Sequence, residues 1–194
     1  MTATGDAGRA PRRRIVAVLA LAWRHSPAGP RGATGQTAGM VLLAKVITVS
    51  DGVAEGSRED RSGAALVERL GAAGFDVVAH TVSADGVDAV ARALEAACQD
   101  FAGLVVTTGG TGFGPRDLTP EGTRAVLERE APGLAEAMRL VSPLGRLSRA
   151  VAGTIGSSLV LNTPGSTTGC VECLEAVLDV VPHALELLAG GRPH

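Results

Sequence analysis

The sequence feature that most limits the possible folds is a regular alternation of apolar, strand-like runs with segments of helical periodicity, beginning near residue 41. Apolar runs rich in β-branched residues occupy 41–50, 75–82 and 104–106. Between them, apolar side chains recur at three- and four-residue spacing, at Leu66, Val67, Leu70 and Ala73 and again at Val87, Val90, Leu94 and Ala97. Parallel strands need such crossover helices. The pattern therefore predicts an α/β protein with a mostly parallel sheet covered by helices on both faces.

The second half of the chain continues this alternation. Thr119 and Pro120 predict a helix start, with Thr119 as N-cap and the proline in the first turn, where its missing N–H costs no hydrogen bond. A buried strand is predicted at 158–161 and a helical segment at 168–188, which Pro182 should kink or divide. Ligands bind beyond the carboxyl ends of the strands in such sheets. Three of these ends, at 50–51, 107–117 and 162–166, carry polar or glycine-rich residues.

The first 39 residues differ from the rest of the chain. We expect them to form a disordered extension before a folded domain at residues 40–190. Three arginines, Arg12 to Arg14, precede an apolar run at 15–23, an outline that imitates a signal peptide. The run is far shorter than the roughly 20 residues that span a bilayer. Arg24 and His25 also stand where a small-residue cleavage site belongs, so export is only the alternative.

Composition narrows the classes of function. Aromatic residues make up 2% of the chain and its formal net charge is −2, so it lacks the stacking side chains and the basic excess that nucleic-acid binding uses. We expect neither a nucleic-acid nor a membrane partner. Three cysteines are too few for a disulfide framework and indicate the cytoplasm. Cys170 and Cys173 form a Cys-x-x-Cys pair without a second pair, which we interpret as packed small apolar side chains.

A glycine-rich loop at 107–117 lies between an apolar strand and the predicted helix at Thr119. Glycines let the backbone approach a ligand closely, and successive N–H groups can form a concave site for phosphate oxygens. The loop contains no Gly-Lys-Ser/Thr for a P-loop, and Pro115 stands where Gly-x-Gly-x-x-Gly needs its third glycine. The loop therefore indicates an anion site of another kind, with a tight strand–helix turn as the structural alternative.

Asp117 closes this loop, and its charge would repel bound phosphates unless a cation stood between them. Mg²⁺ binds through one or two carboxylates together with substrate phosphates. Asp117 is therefore a candidate metal ligand, although capping of the next helix would also explain it.

Several motifs in order resemble the Mog/MoaB family of molybdenum cofactor biosynthesis. They are Thr108-Gly109-Gly110-Thr111-Gly112, then Arg116-Asp117-Leu118-Thr119-Pro120, Pro132-Gly133-Leu134, and Leu161-Asn162-Thr163-Pro164-Gly165-Ser166. The resemblance covers roughly residues 44–189. It implies a three-layer α/β/α molybdopterin-binding fold and, in active members, a Mg²⁺-dependent transfer of AMP from ATP to molybdopterin. It also implies a homotrimer and a possible molybdate-inserting partner.

The resemblance assigns roles to individual residues. Asp117 is implied as catalytic and as the metal ligand, and Asp85 as the second catalytic aspartate, although Ser83-Ala84-Asp85-Gly86 departs from the family's Pro-Asp-Asp-like stretch. The implied substrate-binding residues are Ser50, Asp51, Thr108, Gly109, Gly110, Thr111, Gly112, Ser142, Asn162, Pro164, Gly165 and Ser166.

Local alternatives exist for several of these residues. Asp85 could instead cap the following helix, Asp51 could form an Asx-turn, and Ser142 and the 162–166 stretch could be ordinary turn residues. The altered Asp85 region also leaves open a non-catalytic molybdopterin carrier of the same fold. A different activity on nucleotide-like substrates is a third reading.

Overall fold

A computed structural model of the chain describes residues 41–191, and the predicted N-terminal extension lies outside these residues. The described part contains a six-stranded sheet in the order β2-β1-β3-β6-β5-β4. The strands are β1 (Leu43–Val49), β2 (Asp76–Ser83), β3 (Gly103–Thr108), β4 (Arg129–Glu130), β5 (Ala152–Ile155) and β6 (Ser158–Thr163).

The sheet is parallel where the sequence predicted it and antiparallel at one edge. β1 pairs in parallel with β2 and β3, and β3 pairs in parallel with β6. β5 is antiparallel to both β4 and β6, and a two-residue turn at Gly156 and Ser157 joins it to β6. Gly156 has a φ of +55°, a left-handed conformation that glycine adopts without steric cost. A mostly parallel sheet is confirmed, with a short antiparallel edge that periodicity did not predict.

The described residues also contain seven α-helices and one 3-10 helix, of which the last two α-helices follow the final strand. They are α1 (Asp51–Ala54), α2 (Arg61–Ala72), α3 (Val87–Cys98), α4 (Thr119–Arg124), α5 (Pro132–Leu140), a 3-10 helix (Pro143–Leu147), α6 (Thr167–Glu175) and α7 (Val181–Leu188). Pro182 lies in the first turn of α7, so the predicted 168–188 helix is divided as expected. No helix within residues 41–191 is long and apolar enough to cross a membrane.

The predicted N-cap at Thr119 is wrong, and the alternative role of Asp85 as a helix cap is not observed. The N-cap residue of α4 is Leu118, and Thr119 is the first helical residue, whose hydroxyl donates instead to the Gly109 carbonyl at 2.9 Å. The N-cap residue of α3 is Gly86, with no side-chain cap bond, so Asp85 does not cap it. In both places a contact with a distant loop replaces the local bond that the sequence suggests.

The core occupies both faces of the sheet, which gives the three layers of an α/β/α sandwich. On one face, Leu66 and Leu70 of α2, Met138 of α5 and Leu174 of α6 pack against Val46 of β1 and its neighbours. On the other face, α3 packs its Val90 and Leu94 against β1 and β3. Every residue of β3 and β6 is buried, which explains why their apolar residues stand in continuous runs, 104–106 and 159–161, without polar alternation.

Candidate functional site

A cavity of about 780 Å³ lies at the carboxyl ends of β1, β3 and β6. The strand ends contribute Thr48, Val49 and Thr108 to its wall, and loops from distant parts of the sequence complete it. Nine predicted binding residues line this cavity: Ser50, Thr108, Gly109, Gly110, Thr111, Gly112, Pro164, Gly165 and Ser166. Both predicted catalytic residues, Asp85 and Asp117, line it as well.

The glycine loop takes a backbone path that other residues would resist. Gly109 and Gly110 have φ values of +105° and +63°, a region that L side chains rarely adopt. A Cβ on Gly109 would lie 2.2 Å from the Val49 carbonyl oxygen, and one on Gly110 would lie 2.4 Å from the Thr119 hydroxyl. The loop is therefore packed directly against β1 and α4, with no room for side chains.

This loop leaves three successive amides available to a ligand. The N–H of Gly109 donates to the Thr163 carbonyl at 3.1 Å. Within residues 41–191, the amides of Gly110, Thr111 and Gly112 donate to no other protein group. Consecutive free amides on a cavity wall form the kind of concave anion site that binds phosphate oxygens.

Asp117 faces these amides from the end of the same loop. Its Oδ2 accepts a hydrogen bond from the Gly114 amide at 2.7 Å, and the side chain is half-buried. Cβ atoms on Gly112 and Gly114 would lie 2.9 and 2.8 Å from this oxygen, so both glycines make room for the carboxylate. Among the described residues, Oδ1 accepts no hydrogen bond.

Asp85 is held in a similar way by the loop after β1. Its Oδ2 accepts from the Asp51 amide at 2.8 Å, and its own amide donates to Asp51 Oδ1 at 2.9 Å. Its Oδ1 faces the glycine loop, 3.2 Å from where a Cβ on Gly110 would be. Oδ2 of Asp85 is thus held by a backbone amide, whereas Oδ1 accepts no hydrogen bond within the part of the chain described.

Asp51 supports this arrangement through Arg116 and does not itself line the cavity. The Arg116 guanidinium donates to both Asp51 carboxylate oxygens, at 3.1 and 3.2 Å, and to the Asp85 carbonyl at 2.7 Å. Asp51 therefore bonds to residues distant in sequence and forms no local Asx-turn. This ion pair is exposed, so its main effect is to set geometry rather than stability.

The residues present suit Mg²⁺. Asp117 and Asp85 each offer one carboxylate oxygen that no protein group occupies, and hard oxygen donors are the ligands Mg²⁺ prefers. No group of three or more His, Cys, Asp or Glu residues that could hold a metal occurs in the described residues. The donor set therefore matches an ion that completes its shell with substrate phosphates and water, and does not match a closed protein cage.

A second cavity of about 260 Å³ adjoins the first and shares Leu144, Ser148, Pro164 and Ser166 with it. The remaining predicted binding residues, Ser142 and Asn162, line this cavity. Ser142 also caps the 3-10 helix through the Leu144 amide at 3.3 Å, and Ser166 caps α6 through the Gly169 amide at 3.2 Å. Both serines thus hold local turns in addition to lining a cavity.

Asn162 is fully buried and bonds inside the protein. Its amide nitrogen donates to the hydroxyls of Thr107 at 2.9 Å and Thr123 at 3.0 Å, and its Oδ1 accepts from the Val151 amide at 3.3 Å. The side chain therefore ties β6 to β3, to α4 and to the residue that precedes β5.

One wall of the first cavity contains residues that we did not predict from the sequence. The loop before α2 contributes Arg58, Glu59 and Asp60, and the first turn of α2 contributes Arg61 and Ser62. Asp60 caps α2 through the Gly63 amide at 2.8 Å and also accepts from the Thr48 hydroxyl at 2.6 Å. His80 Nε2 lies 2.9 Å from the same carboxylate. In the sequence, Asp60 stands three residues before Gly63 at the start of a helical segment. That spacing predicts a helix N-cap, but it does not predict that Asp60 lines a cavity.

The three cysteines are free and buried, which agrees with the interpretation of Cys170 and Cys173 as packed small apolar side chains. Burial raises the pKa of the Cys170 thiol, and burial together with the neighbouring Cys170 and Glu172 raises that of Cys173 to about 11. Cys170 Sγ donates to the Thr167 carbonyl at 3.2 Å and Cys173 Sγ to the Met138 carbonyl at 3.4 Å. Protonated thiols in such surroundings behave as small apolar side chains.

The fold and the cavity define a class of protein: an α/β/α domain with a cavity at the carboxyl edge of its sheet whose free amides suit anionic ligands. Residues 45–183 match the family described as "Probable molybdopterin binding domain". The chain belongs to this family.

Curated and structural relatives agree with this assignment. The chain is 38% identical over 152 residues to the molybdopterin adenylyltransferase of Helicobacter pylori, an alignment that covers 75% of this chain and 86% of the relative. The crystal structure of MoaB from Thermus thermophilus superposes with a TM-score of 0.72 at 45% identity, covering 77% of this chain and 98% of that one. The Mog protein of Mycobacterium ulcerans has the same TM-score at 39% identity, covering 76% and 99%.

Proposed function

We propose that this chain is a molybdopterin adenylyltransferase, which transfers AMP from ATP to molybdopterin in molybdenum cofactor biosynthesis. The name and coverage of the Helicobacter pylori relative support the reaction. The observation that carries the proposal is structural: two anchored carboxylates, each with one unoccupied oxygen, share a cavity with three free backbone amides. That set of groups suits a reaction between two phosphate-bearing substrates.

The reaction requires little acid–base catalysis by the protein. A phosphate oxygen of molybdopterin forms a bond to the α-phosphorus of ATP while the bond from that phosphorus to the α,β-bridging oxygen breaks, and pyrophosphate leaves. The attacking oxygen is already anionic near neutral pH, so no strong base is required, and positioning and charge stabilisation can supply the rate. Neither described histidine, His80 nor His183, lines the cavity.

Each part of the cavity has a role in this proposal. The amides of 110–112 and the Thr108 and Thr111 side chains bind phosphate oxygens. Asp117 and Asp85 hold Mg²⁺, which neutralises phosphate charge when bound. Ser50, Pro164, Gly165 and Ser166 line the substrate cavity, and Ser142 lies in the adjoining one. Asp51 acts through its two hydrogen bonds with Asp85, so it is a positioning residue.

The wider expectations from the family resemblance are also proposals. We place the functional unit at residues 40–190, working in the cytoplasm as a homotrimer that passes its product to a molybdate-inserting protein. Light scattering after gel filtration measures the mass of the assembly directly. A monomer at micromolar concentration would refute the trimer without touching the assignment of the reaction.

The decisive experiment is an assay of pyrophosphate and adenylylated product with molybdopterin, ATP and Mg²⁺. We expect turnover by the wild type and a loss on the order of a hundredfold or more in Asp117→Asn, because one charged metal ligand contributes several kcal/mol to the transition state. Asp179→Asn, at an exposed position away from the cavity, is the matched control. Tight molybdopterin binding without any product would favour the carrier instead, and full turnover in Asp117→Asn would remove the proposed metal role.

A further inference from the structure

Arg149 connects the glycine loop to the segment that follows it, although it lies far from both in sequence. Its Nε donates to the Gly112 carbonyl at 2.7 Å. Its two terminal nitrogens donate to the Asp117 carbonyl, 32 residues away in the chain, and to Glu121 of α4. Its backbone amide adds a bond to the Thr111 carbonyl at 2.9 Å. Arg149 thus bonds to the loop at three points, Thr111, Gly112 and Asp117, and to α4 at a fourth.

These bonds fix both ends of the segment that contains the candidate metal ligand. Gly112 begins the stretch 112–117 and Asp117 ends it, and the same guanidinium holds a carbonyl at each end. The only hydrogen bond to the Asp117 carboxylate within the described residues comes from Gly114, inside the same stretch. The place of that carboxylate relative to the free amides of 110–112 therefore depends on Arg149.

The chemistry requires an arginine. Three acceptors lie around one planar group, and guanidinium presents five N–H donors in a fixed fork, whereas a lysine ammonium is a compact charge on a flexible stem. Glu121 balances the charge of Arg149, which leaves the two backbone carbonyls as the acceptors that link it to the loop. The side chain is 28% exposed, so solvent competes little for these bonds.

We propose that Arg149 is a positioning residue that sets the distance between the Asp117 carboxylate and the phosphate-binding amides, and so controls Mg²⁺-dependent nucleotide binding and the reaction rate. The inference rests on the proposed function for the reaction itself, but its binding component is independent of turnover. Arg149 does not line either cavity, so it acts through the loop and not by contact with substrate.

The test compares Arg149→Met and Arg149→Lys with Arg146→Met. Arg146 is an exposed arginine of the 3-10 helix whose side chain forms no hydrogen bond or ion pair within residues 41–191, which makes it a matched control. For each variant, one measures the Mg²⁺ concentration giving half-maximal ATP binding, the Kd for molybdopterin, kcat and Tm. Equilibrium binding is measured by calorimetry, without requiring turnover.

We expect Arg149→Met to raise the Mg²⁺ requirement for ATP binding and to lower kcat by roughly ten- to a hundredfold, since small misplacements of catalytic groups have effects of this size. Arg149→Lys should recover little, because it restores the charge without the fork. The Kd for molybdopterin should change less than twofold, and Arg146→Met should match the wild type throughout. A purely structural role would instead lower Tm and leave the Mg²⁺ requirement unchanged, which would overturn the inference.

A second variant and the ATP-binding measurement distinguish failure of the Arg149 proposal from failure of the proposed reaction. If Arg149→Met does not fold, Glu121→Ala removes the acceptor of one of the three guanidinium bonds and should give a smaller shift in the same direction. An unchanged Mg²⁺ requirement in that variant counts against the inference. If the wild type binds Mg²⁺ and ATP but yields no product, the proposed reaction fails, whereas a raised Mg²⁺ requirement in Arg149→Met still supports the positioning role. Wild-type protein that binds no ATP would refute both.

Discussion

Replacing Asn162 by alanine separates the two roles that this residue could have. The sequence motif suggests a ligand-binding turn, whereas the structure shows a fully buried amide bonded to Thr107, Thr123 and the Val151 N–H. If the structural role dominates, the substitution must destabilise the domain regardless of any ligand.

The expected cost follows from the groups left behind. Alanine leaves the Val151 amide without an acceptor, and a buried unsatisfied polar group costs about 1–3 kcal/mol. The Thr123 hydroxyl still donates to the Thr119 carbonyl at 2.7 Å and so loses only one of its two bonds. Adding the small cavity gives about 2–4 kcal/mol in total. In a domain of this size 1 kcal/mol shifts Tm by about 2–4 °C, so a fall of roughly 5–15 °C is expected.

Thermal unfolding followed by circular dichroism measures this shift. Gln99→Ala removes an exposed side-chain amide and should stay within about 0.5 kcal/mol of the wild type. A Tm for Asn162→Ala within 2 °C of the wild type, combined with lost molybdopterin binding, would refute the structural reasoning and assign the amide to the ligand.

Three further predictions test other parts of the structure. Gly112→Ala places a Cβ 2.9 Å from Asp117 Oδ2 and should lower kcat about tenfold at unchanged Tm. Gly133→Ala is the control, because its Cβ has no atom within 4 Å, and it should leave kcat unchanged. The rate of pyrophosphate release measures kcat for both variants. Because the pKa of Cys173 is about 11, its thiol should stay protonated and react slowly with iodoacetamide below that pH, and rapid labelling at pH 8 would contradict this. Asp60→Ala removes the α2 cap and two side-chain contacts and should cost about 1–2 kcal/mol, measured by urea unfolding.

Periodicity predicted the elements whose burial is continuous and missed those whose pairing is short. β1 is mostly apolar, and the buried strands β3 and β6 contain continuous apolar stretches at 104–106 and 159–161, so their residues carry the signal themselves. β4 has two residues and β5 has four, too few for a period to appear, and both depend on the strand beside them. The predicted N-cap at Thr119 was wrong for a related reason, because the Thr119 hydroxyl donates to the carbonyl of Gly109, a residue outside the helix.

The parts of the site that could be predicted are those whose functional residues lie close together in the sequence. The glycines of 109–112 and Asp117 stand in one loop, and their types indicate an anion site with a cation. The wall around Asp60 was not predictable, because its position comes from contacts with Thr48 and His80 on β1 and β2. The partners of Arg149 were equally unpredictable, since nothing near it in sequence shows that they lie 32 and 37 residues earlier.

The meeting of Gly165 with Gly109 limits how this domain can be recombined with its relatives. The position of a Cβ on Gly165 is 3.2 Å from the Gly109 Cα, and that of a Cβ on Gly109 is 2.2 Å from the Val49 carbonyl, so main chain rests on main chain at three strand ends. In a chimera that takes only one of these loops from a homologue, the new loop would not fit the backbone of the two loops it packs against. Transplants that carry the ends of β1, β3 and β6 together should yield folded hybrids, while single-loop exchanges should accumulate in inclusion bodies.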